Sequence, residues 1–305
     1  MSDKKFPLVS IITVTRNLID AGRKDFFRQC VESVRMQDYP SIEHLIIDGA
    51  STDGTVELLQ ELGVNYVSEP DNGISDAYNK GIRQANGKYI AFLSDDDLYS
   101  SEQAISSVIK VLEEQQADFS YAPFNVIDKN SSFITLANPF FKGFPLGMPF
   151  GYPTMFTKKT VLEQVGGHSL DYKICGDYDL VCRIILKGYK PALISEVFVS
   201  WRKGGVSDTQ KEIVRRENIQ VVSRNTGLTL KEAEKYYTRK CLPKKLLFSL
   251  LAKTADFPET TGSLLRHNRK QFLKYIRKQL LTVHLRRGRR CFRLFGITFY
   301  HEGKK

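Results

Sequence analysis

The first 125 residues alternate between short apolar runs and longer amphipathic segments. The apolar runs have the length and composition of buried strands, and they cover residues 8–14, 42–49, 64–70, 88–93 and 117–124. The intervening segments have helical spacing of apolar residues and cover residues 23–37, 51–62, 76–85 and 100–115. Strands that alternate regularly with helices are joined by right-handed crossovers into a parallel sheet. The sequence therefore predicts an α/β fold that binds its ligands at the carboxyl ends of the strands.

The rest of the chain follows other patterns. Residues 125–209 mix short strands with helices, and they include a loop rich in Gly, Pro and Phe at 138–153. A helix is expected to start near Asp177. From residue 210 onward the chain is predicted to be mainly helical, with helices at 210–224, 229–240, 243–255 and 265–285. Near its end, FRLFGITFY alternates in the manner of a small terminal strand.

Charge divides the chain at the same place. Residues 1–209 carry 21 Lys and Arg against 27 Asp and Glu, whereas residues 210–305 carry 24 against 7. The net charges are −6 and +17, so we expect one domain at 1–209 and a basic extension at 210–305. The longest compact apolar cluster, LLFSLLA, is far shorter than the roughly 20 residues of a membrane-spanning helix. The sequence predicts no membrane span, and the five dispersed histidines receive no role.

Three consecutive carboxylates, Asp95, Asp96 and Asp97, follow the apolar run KYIAFL. Like charges at the rim of an apolar core repel one another and lose hydration, so they need a compensating partner. One interpretation is that they cap the free N–H groups of a following helix. The other is that they bind a divalent cation, which prefers carboxylate oxygens and is completed by substrate phosphates. The triplet alone leaves both interpretations open.

Five further motifs accompany FLSDDD (92–97) in a fixed order. They are TVTRN (13–17), IIDGASTDGT (46–55), SEPDNGISDAYNKGI (68–82), GDYDLVCRIILKGY (176–189) and KGGVS (203–207). Together they resemble the family 2 inverting glycosyltransferases of bacterial surface-polysaccharide synthesis, over residues 7 to about 207. The resemblance implies a GT-A fold, which is a mixed, mostly parallel sheet flanked by helices, here followed by the basic helical extension.

The resemblance also assigns roles at the donor site. It implies that a nucleotide sugar is bound by Thr13, Thr15, Asn17, Asp48, Asp76, Lys80, Asp95 and Asp97. The implied cofactor is Mn²⁺ or Mg²⁺, with Asp96 as the first candidate ligand and Asp97 as the second. The family's metal motif usually begins with an acid where this chain has Ser94, which leaves the assignment within the triplet open.

The resemblance places the catalytic base at Asp177, where a helix cap is the competing interpretation. The Glu that usually precedes the base is replaced here by Gly176. On the acceptor or phosphate side we expect Trp201, Arg202 and Lys203, with the loop 138–153 as a wall or lid.

The predicted reaction is an inverting transfer of a sugar, preferably from a UDP-sugar, to a glycan or lipid-linked acceptor. The basic extension is either a solvated face, a nucleic-acid site or a contact with the anionic inner leaflet of the cell membrane. We expect the membrane contact, a cytoplasmic peripheral location and no nucleic acid. The alternatives are a noncatalytic nucleic-acid or membrane-binding protein on a nucleotide-binding fold, and a sugar nucleotidyltransferase. TVTRNLIDAG lacks the glycine-rich phosphate loop typical of the latter.

Overall fold

The computed structural model describes residues 6–141 and 144–239, residues 243 and 246, and the backbone of three strands within 284–301. Its strands are β1 (Val9–Thr15), β2 (Ile42–Asp48), β3 (Asn65–Ser68), β4 (Tyr89–Phe92), β5 (Leu98–Tyr99), β6 (Phe119–Tyr121), β7 (Phe124–Ile127), β8 (Phe133–Ala137), β9 (Phe156–Lys158), β10 (Pro191–Leu193), β11 (Val199–Arg202), β12 (His284–Arg286), β13 (Arg289–Leu294) and β14 (Ile297–His301). Its helices are α1 (Lys24–Arg35), α2 (Thr55–Glu61), α3 (Ile74–Gln84), α4 (Ala104–Gln115), α5 (Lys159–Val165), α6 (Gly176–Leu186), α7 (Val206–Thr209), α8 (Lys211–Thr226) and α9 (Leu230–Arg239).

The main sheet has seven strands in the order β10-β6-β9-β4-β1-β2-β3. Its neighbours pair in parallel except β9, which runs antiparallel to both β4 and β6. The prediction of a mixed, mostly parallel sheet flanked by helices is confirmed. Since β1, β2 and β4 run in one direction, their carboxyl ends open on the same edge of the sheet.

A second sheet has four strands in the order β5-β11-β7-β8, and residues of β7, β8 and β11 line the same cavity as the end of β1. The single strand predicted at 117–124 is wrong in this respect, because β6 ends at Tyr121 and β7 begins at Phe124 in the other sheet. The apolar run was continuous in sequence, so its period did not reveal the change of sheet. The helical spacing predicted for Phe27, Val31 and Val34 is confirmed, since all three are buried on helix α1.

Close packing of α3 on β1 depends on a glycine. A Cβ added at Gly81 would lie 2.5 Å from Cγ2 of Ile12, so a larger residue would push α3 away from the sheet. The same helix begins at Ile74, two residues earlier than predicted, and presents the buried face of Ala77, Tyr78 and Ile82 to the core.

Beyond residue 209 the predicted helices 210–224 and 229–240 are confirmed as α8 and α9. Helix α8 contributes Val221 and Val222, both fully buried, to the hydrophobic cluster that contains α6. The helix predicted at 243–255 lies outside the described residues except at 243 and 246. The helix predicted at 265–285 also lies outside them, except that its last two residues begin β12. The single terminal strand predicted from FRLFGITFY is wrong, because this run contributes to two strands, β13 and β14, which pair antiparallel; β12 pairs antiparallel with β13.

Hydrophobic packing thus continues across residue 209, and the division into a domain at 1–209 and an extension at 210–305 stays a prediction. Within the described part of the chain, no helix is both long enough and apolar enough to cross a bilayer.

Candidate active site

A cavity of about 790 Å³ opens at the carboxyl ends of β1 and β4. Its polar wall comes from the end of β1, the acidic triplet, the first turns of α3 and α6, and the end of β11. Its apolar wall includes Phe140, Met148, Pro149 and Phe150, so the loop 138–153 contributes one side of the cavity, and its role towards an acceptor stays a prediction. Loops at this edge of a parallel sheet are the usual place for a ligand.

The carboxylates Asp95, Asp96 and Asp97 do not cap a helix. Strand β5 follows the triplet immediately, and α4 begins only at Ala104. Instead, the backbone N–H of Arg202 donates a 2.8 Å hydrogen bond to Oδ1 of Asp97 and joins the triplet to β11. The capping interpretation is therefore wrong for these residues.

An arginine that the sequence analysis missed lies against the triplet. Nη1 of Arg23 is 2.8 Å from Oδ1 of Asp95 and 3.9 Å from Oδ2 of Asp96. Arg23 lies just before α1, and its side chain is 28% exposed in the cavity wall. The position could have been found from topology, because a segment that leaves the end of β1 must lie at this edge of the sheet.

Burial disfavours the ionised form of all three carboxylates of the triplet. Burial raises the pKa of Asp95 to about 7, although the Arg23 charge opposes the rise. Burial likewise raises the pKa of Asp96 and raises that of Asp97 well above its usual range. A bound cation would favour ionisation of these groups by cancelling their mutual repulsion.

The triplet fits a hard divalent cation. The described residues hold no ready-made cluster of three or more His, Cys, Asp or Glu side chains arranged around a metal position. Mg²⁺ typically takes only one or two protein carboxylates and completes its shell with phosphates and water. Asp96 lines the cavity, and Oδ2 of Asp97 is buried without a hydrogen-bond partner in this part of the chain. Asp96 is thus the carboxylate best placed to meet a cation, whereas Asp97 lies behind the cavity wall.

The predicted nucleotide contact Asp48 is fully buried at the end of β2. Its carboxylate accepts hydrogen bonds from Oγ1 of Thr15 (3.2 Å), from N and Oγ of Ser51 (2.9 and 2.5 Å) and from Oγ of Ser68 (2.6 Å). Of these, Thr15 lines the cavity. Asp48 therefore ties together the loops after three neighbouring strands, and its contact with a base or ribose stays a prediction.

Thr13 and Asn17 flank the cavity without lining it. Oγ1 of Thr13 lies 3.1 Å from Nε2 of His44, on the interior side of β1. Asn17 has a positive φ of 49°, and its backbone N–H donates to Oγ of Ser51 at 2.7 Å. Both residues shape the strand end from which the cavity opens.

Asp76 and Lys80 stabilise the loop that leads into α3. Oδ2 of Asp76 accepts the backbone N–H of Asn72 at 3.0 Å. Nζ of Lys80 lies 2.9 Å from the carboxylate of Glu69 and donates to the carbonyl of Pro70 at 2.5 Å. These contacts keep both side chains out of the cavity wall.

Asp177 reaches the cavity from the first turn of α6. Its Oδ1 accepts the backbone N–H of Tyr178 at 2.7 Å, and burial raises its pKa to about 6. The preceding Gly176 has no room for a side chain, because a Cβ there would collide with Oγ of Ser75. A side chain at this position would therefore require Ser75 to move.

A buried hydrogen bond between two rings also lies beside the cavity. Oη of Tyr152 and Nε2 of His168 are 2.6 Å apart, and burial lowers the pKa of His168 to about 3. Asn79 holds the backbone of His168 in two 2.8 Å hydrogen bonds, and Tyr78 stacks on its ring at 5.1 Å. No role was predicted for His168, although its partners Tyr78 and Asn79 belong to the motif EPDNGISDAYNKG.

The three predicted acceptor-side residues lie in different environments. Trp201 lines the cavity and is half-buried. Arg202 is buried, and its guanidinium donates to the Asp96 carbonyl at 2.9 Å and stacks 4.2 Å from the Phe26 ring. Lys203 is exposed outside the cavity wall.

The structure therefore brings only part of the predicted site together. The predicted residues in the cavity wall are Thr15, Asp95, Asp96, Asp177, Trp201 and Arg202. The predicted residues outside it are Thr13, Asn17, Asp48, Asp76, Lys80, Asp97 and Lys203.

Comparison with known proteins assigns the family. The sequence model described as "Glycosyl transferase family 2" matches residues 10–172, more than half of the chain. The chain belongs to glycosyl transferase family 2. It is 30% identical over 189 residues to an uncharacterized glycosyltransferase of Mycobacterium tuberculosis, covering 59% of this chain and 70% of that protein. It is 31% identical over 133 residues to the putative teichuronic acid biosynthesis glycosyltransferase TuaG of Bacillus subtilis, covering 41% and 50%.

Solved structures agree on the fold. Mannosyltransferase PcManGT of Pyrobaculum calidifontis, solved with GDP-Man and Mn²⁺, superposes with a TM-score of 0.59 at 18% identity, covering 90% of this chain and 83% of that one. TarS of S. aureus, solved with UDP-GlcNAc, superposes with a TM-score of 0.56 at 15% identity, covering 98% and 100%. This member of family 2 has the GT-A fold and is a glycosyltransferase.

Proposed function

We propose that this family 2 protein transfers a sugar from a nucleoside-diphosphate sugar to a hydroxyl group of a glycan or lipid-linked acceptor, with inversion at the anomeric carbon. The observation that carries the proposal is that Asp96 and Asp177, which arise from distant parts of the chain, line one cavity. Asp96 suits the diphosphate end of a donor through a bound divalent cation, and Asp177 suits an acceptor hydroxyl as proton acceptor.

Asp177 supplies the proton acceptor in this proposal. With a pKa of about 6, its carboxylate is mostly ionised at neutral pH and still basic enough to take a proton during attack. The attack of the acceptor oxygen breaks the bond between the anomeric carbon and the diphosphate, so a single displacement inverts that carbon. A divalent cation at Asp96, Mn²⁺ or Mg²⁺, would neutralise the charge that develops on the departing diphosphate.

We propose a UDP-sugar as the preferred donor and synthesis of a surface polysaccharide as the setting. The name of TuaG, teichuronic acid biosynthesis, and the UDP-GlcNAc bound to TarS support this choice. PcManGT is bound to GDP-Man, so GDP-sugars form the comparison class.

The basic extension at 210–305 suggests where the protein works. A net charge of +17 favours a peripheral contact with the anionic inner face of the cell membrane, where a lipid-linked acceptor would be found. The test is sedimentation with anionic and neutral liposomes at low salt, for the full chain and for a chain without residues 286–305. Binding to anionic liposomes that falls on deletion supports the contact; no binding by the full chain contradicts it.

The enzymatic proposal is tested by assaying a panel of UDP- and GDP-sugars with Mn²⁺, Mg²⁺ or EDTA. Turnover should require a divalent cation and fall about 10²-fold or more in Asp96→Asn, as expected for loss of an electrostatic contact in the transition state. The exposed carboxylate variant Asp25→Asn is the control and should keep its activity. Indifference to both metal and Asp96→Asn would favour a noncatalytic binding protein. Release of pyrophosphate from a nucleoside triphosphate and a sugar phosphate would favour a nucleotidyltransferase.

A further inference from the structure

The N-terminus of α6 has no capping hydrogen bond from the side chain of its N-cap residue. Cys175 occupies the N-cap position and makes no side-chain capping hydrogen bond. The first N–H groups of a helix have no intrahelical acceptor and need one from elsewhere. Asp177 projects from the first turn of this helix into the cavity, so the position of that turn sets the position of Asp177.

A single buried carboxylate from α8 binds the N–H group of the N-cap residue Cys175 and those of the two residues before it. Oε1 of Glu217 accepts the N–H of Lys173 at 2.9 Å, and Oε2 accepts the N–H groups of Ile174 and Cys175, each at 2.9 Å. Glu217 is 4% exposed. Three hydrogen bonds to one carboxylate fix the main chain directly before Asp177, since charge-assisted hydrogen bonds are among the stronger ones in proteins.

Packing of helix α8 against the core fixes the position of the Glu217 carboxylate. Its residues Val221 and Val222 are fully buried in the cluster that contains α6. Two turns beyond Glu217, Nδ2 of Asn225 donates to Oδ1 of Asp179 at 2.9 Å. Oδ2 of Asp179 in turn accepts Nε of Arg183 at 2.7 Å. Helix α8 therefore forms hydrogen bonds on both sides of Asp177, through Glu217 before it and through Asn225 after it.

We infer that Glu217, in the basic C-terminal segment, is a positioning residue that fixes the turn carrying Asp177 and places a negative charge behind it. The inference rests on the proposed function of Asp177 as the base. It makes α8 a part of the catalytic apparatus, although its sequence, KEIVRRENIQVVSRNT, resembles an ordinary charged helix.

The charge of Glu217 has a consequence for Asp177. Among the described residues, the titratable groups that interact with Asp177 are the phenols of Tyr78 and Tyr152, the thiols of Cys175 and Cys182 and the carboxylate of Glu217; the imidazole of His168 lines the same cavity. Burial is the main cause of the raised pKa of Asp177, and the negative charge of Glu217 is a smaller cause that acts in the same direction. Because a nearby negative charge disfavours ionisation, removal of that charge lowers the pKa of the base.

The test compares Glu217→Gln and Glu217→Asp with the wild type, in steady-state kinetics across pH and in thermal unfolding. Glu217→Gln loses the charge and part of the acceptor capacity. We expect kcat to fall roughly 10- to 100-fold through misplacement of the base, with the donor KM within about twofold of wild type. We also expect the acid limb of kcat/KM to move to lower pH by about half to one unit.

Glu217→Asp keeps the charge but shortens the side chain by one methylene. It should lower kcat while leaving the acid limb closer to its wild-type pH. The control is Glu212→Gln, an exposed carboxylate in the first turn of the same helix, and it should change neither quantity.

An acid limb that stays in place in Glu217→Gln, or an unchanged kcat, overturns the inference. If Glu217→Gln does not fold, Glu217→Asp decides through kcat alone: a reduced kcat at unchanged donor KM supports positioning, and an unchanged kcat overturns it. Failure of the proposed function has a different signature, since Asp177→Asn would then keep its turnover whatever the Glu217 variants do.

Discussion

The guanidinium of Arg23 forms an ion pair with the carboxylate of Asp95 across 2.8 Å at the rim of the cavity, and it lies 3.9 Å from Asp96. Arg23 therefore neutralises part of the acidic triplet in the protein without ligand. A divalent cation at Asp96 would meet the positive charge of Arg23 at close range, so the two compete for the same oxygens.

Arg23→Gln should destabilise the protein in EDTA at pH 7.5 and tighten its binding of Mn²⁺. Loss of the partly buried partner leaves the carboxylates unpaired, which we expect to cost about 1–2 kcal/mol in the free energy of unfolding. The measurements are urea unfolding and a Mn²⁺ titration followed by electron paramagnetic resonance. Arg28→Gln, which breaks the exposed ion pair of Arg28 with Glu61, is the control and should alter neither. Weaker Mn²⁺ binding in Arg23→Gln would contradict competition.

Asp177→Asn should abolish transfer while keeping donor binding. Removal of a general base typically costs about 10²–10⁴-fold in rate. In the wild type, kcat/KM should rise with pH through an acid limb near pH 6, because the base must be ionised and its pKa is about 6. The measurements are pH-dependent kinetics and calorimetric titration with nucleotide. Asp171→Asn, at an exposed residue paired with Arg224, should leave both unchanged.

The raised pKa of Asp177 also predicts that Asp177→Asn, which loses activity, gains stability at high pH. The folded-state pKa of about 6 lies above the ordinary value of 3.8, so this group favours folding when protonated. Its contribution is present below pH 3.8 and is lost as pH rises through 6. Asp177→Asn should therefore be more stable than wild type at pH 8, by about 1–2 kcal/mol, and the difference should shrink towards pH 4. Urea unfolding at the two pH values measures it; a variant equally or less stable at pH 8 would refute the assignment of burial as the cause.

Gly176 and Ser75 should show strong coupling in a double-mutant cycle. Gly176→Ala places a Cβ against Oγ of Ser75, displaces the first turn of α6 and should lower kcat. Ser75→Ala removes that oxygen, so the double variant should recover activity that Gly176→Ala loses, with a coupling energy of about 0.5–3 kcal/mol. Gly147→Ala, at a glycine whose Cβ would meet open space, is the control. Strictly additive effects of Gly176→Ala and Ser75→Ala would show that the contact does not position α6.

Local patterns predicted the first four strands of the main sheet because apolar runs alternate there with helices that have helical spacing of apolar residues. The carboxyl-end position of Asp95 and Asp96 followed from strand direction alone. The second sheet was missed because β6 and β7 are separated by two residues, Ala122 and Pro123, and read as one run. Short pairings of this kind depend on distant partners such as β11, and local periodicity carries no information about them.

The candidate site shows the same limit. A motif marks the residues of a loop, but it does not say which side chains face the ligand and which hold the loop together. Asp48, Asp76 and Lys80 lie in motifs of the donor side, yet their side chains are engaged with neighbouring loops. Arg23 and Glu217 act on the site from outside any motif, through contacts that only the folded chain brings together.

The proposed function requires that the acidic corner beside Arg23 hold the diphosphate of a sugar nucleotide with its cation, and the decisive experiment is anomalous diffraction from crystals soaked with Mn²⁺ and UDP. We expect a manganese peak between the Asp96 carboxylate and the two phosphates, inside the cavity that Asp177 lines. A nucleotide bound elsewhere, with no manganese near the triplet and the contact of Arg23 with Asp95 and Asp96 intact, would contradict it.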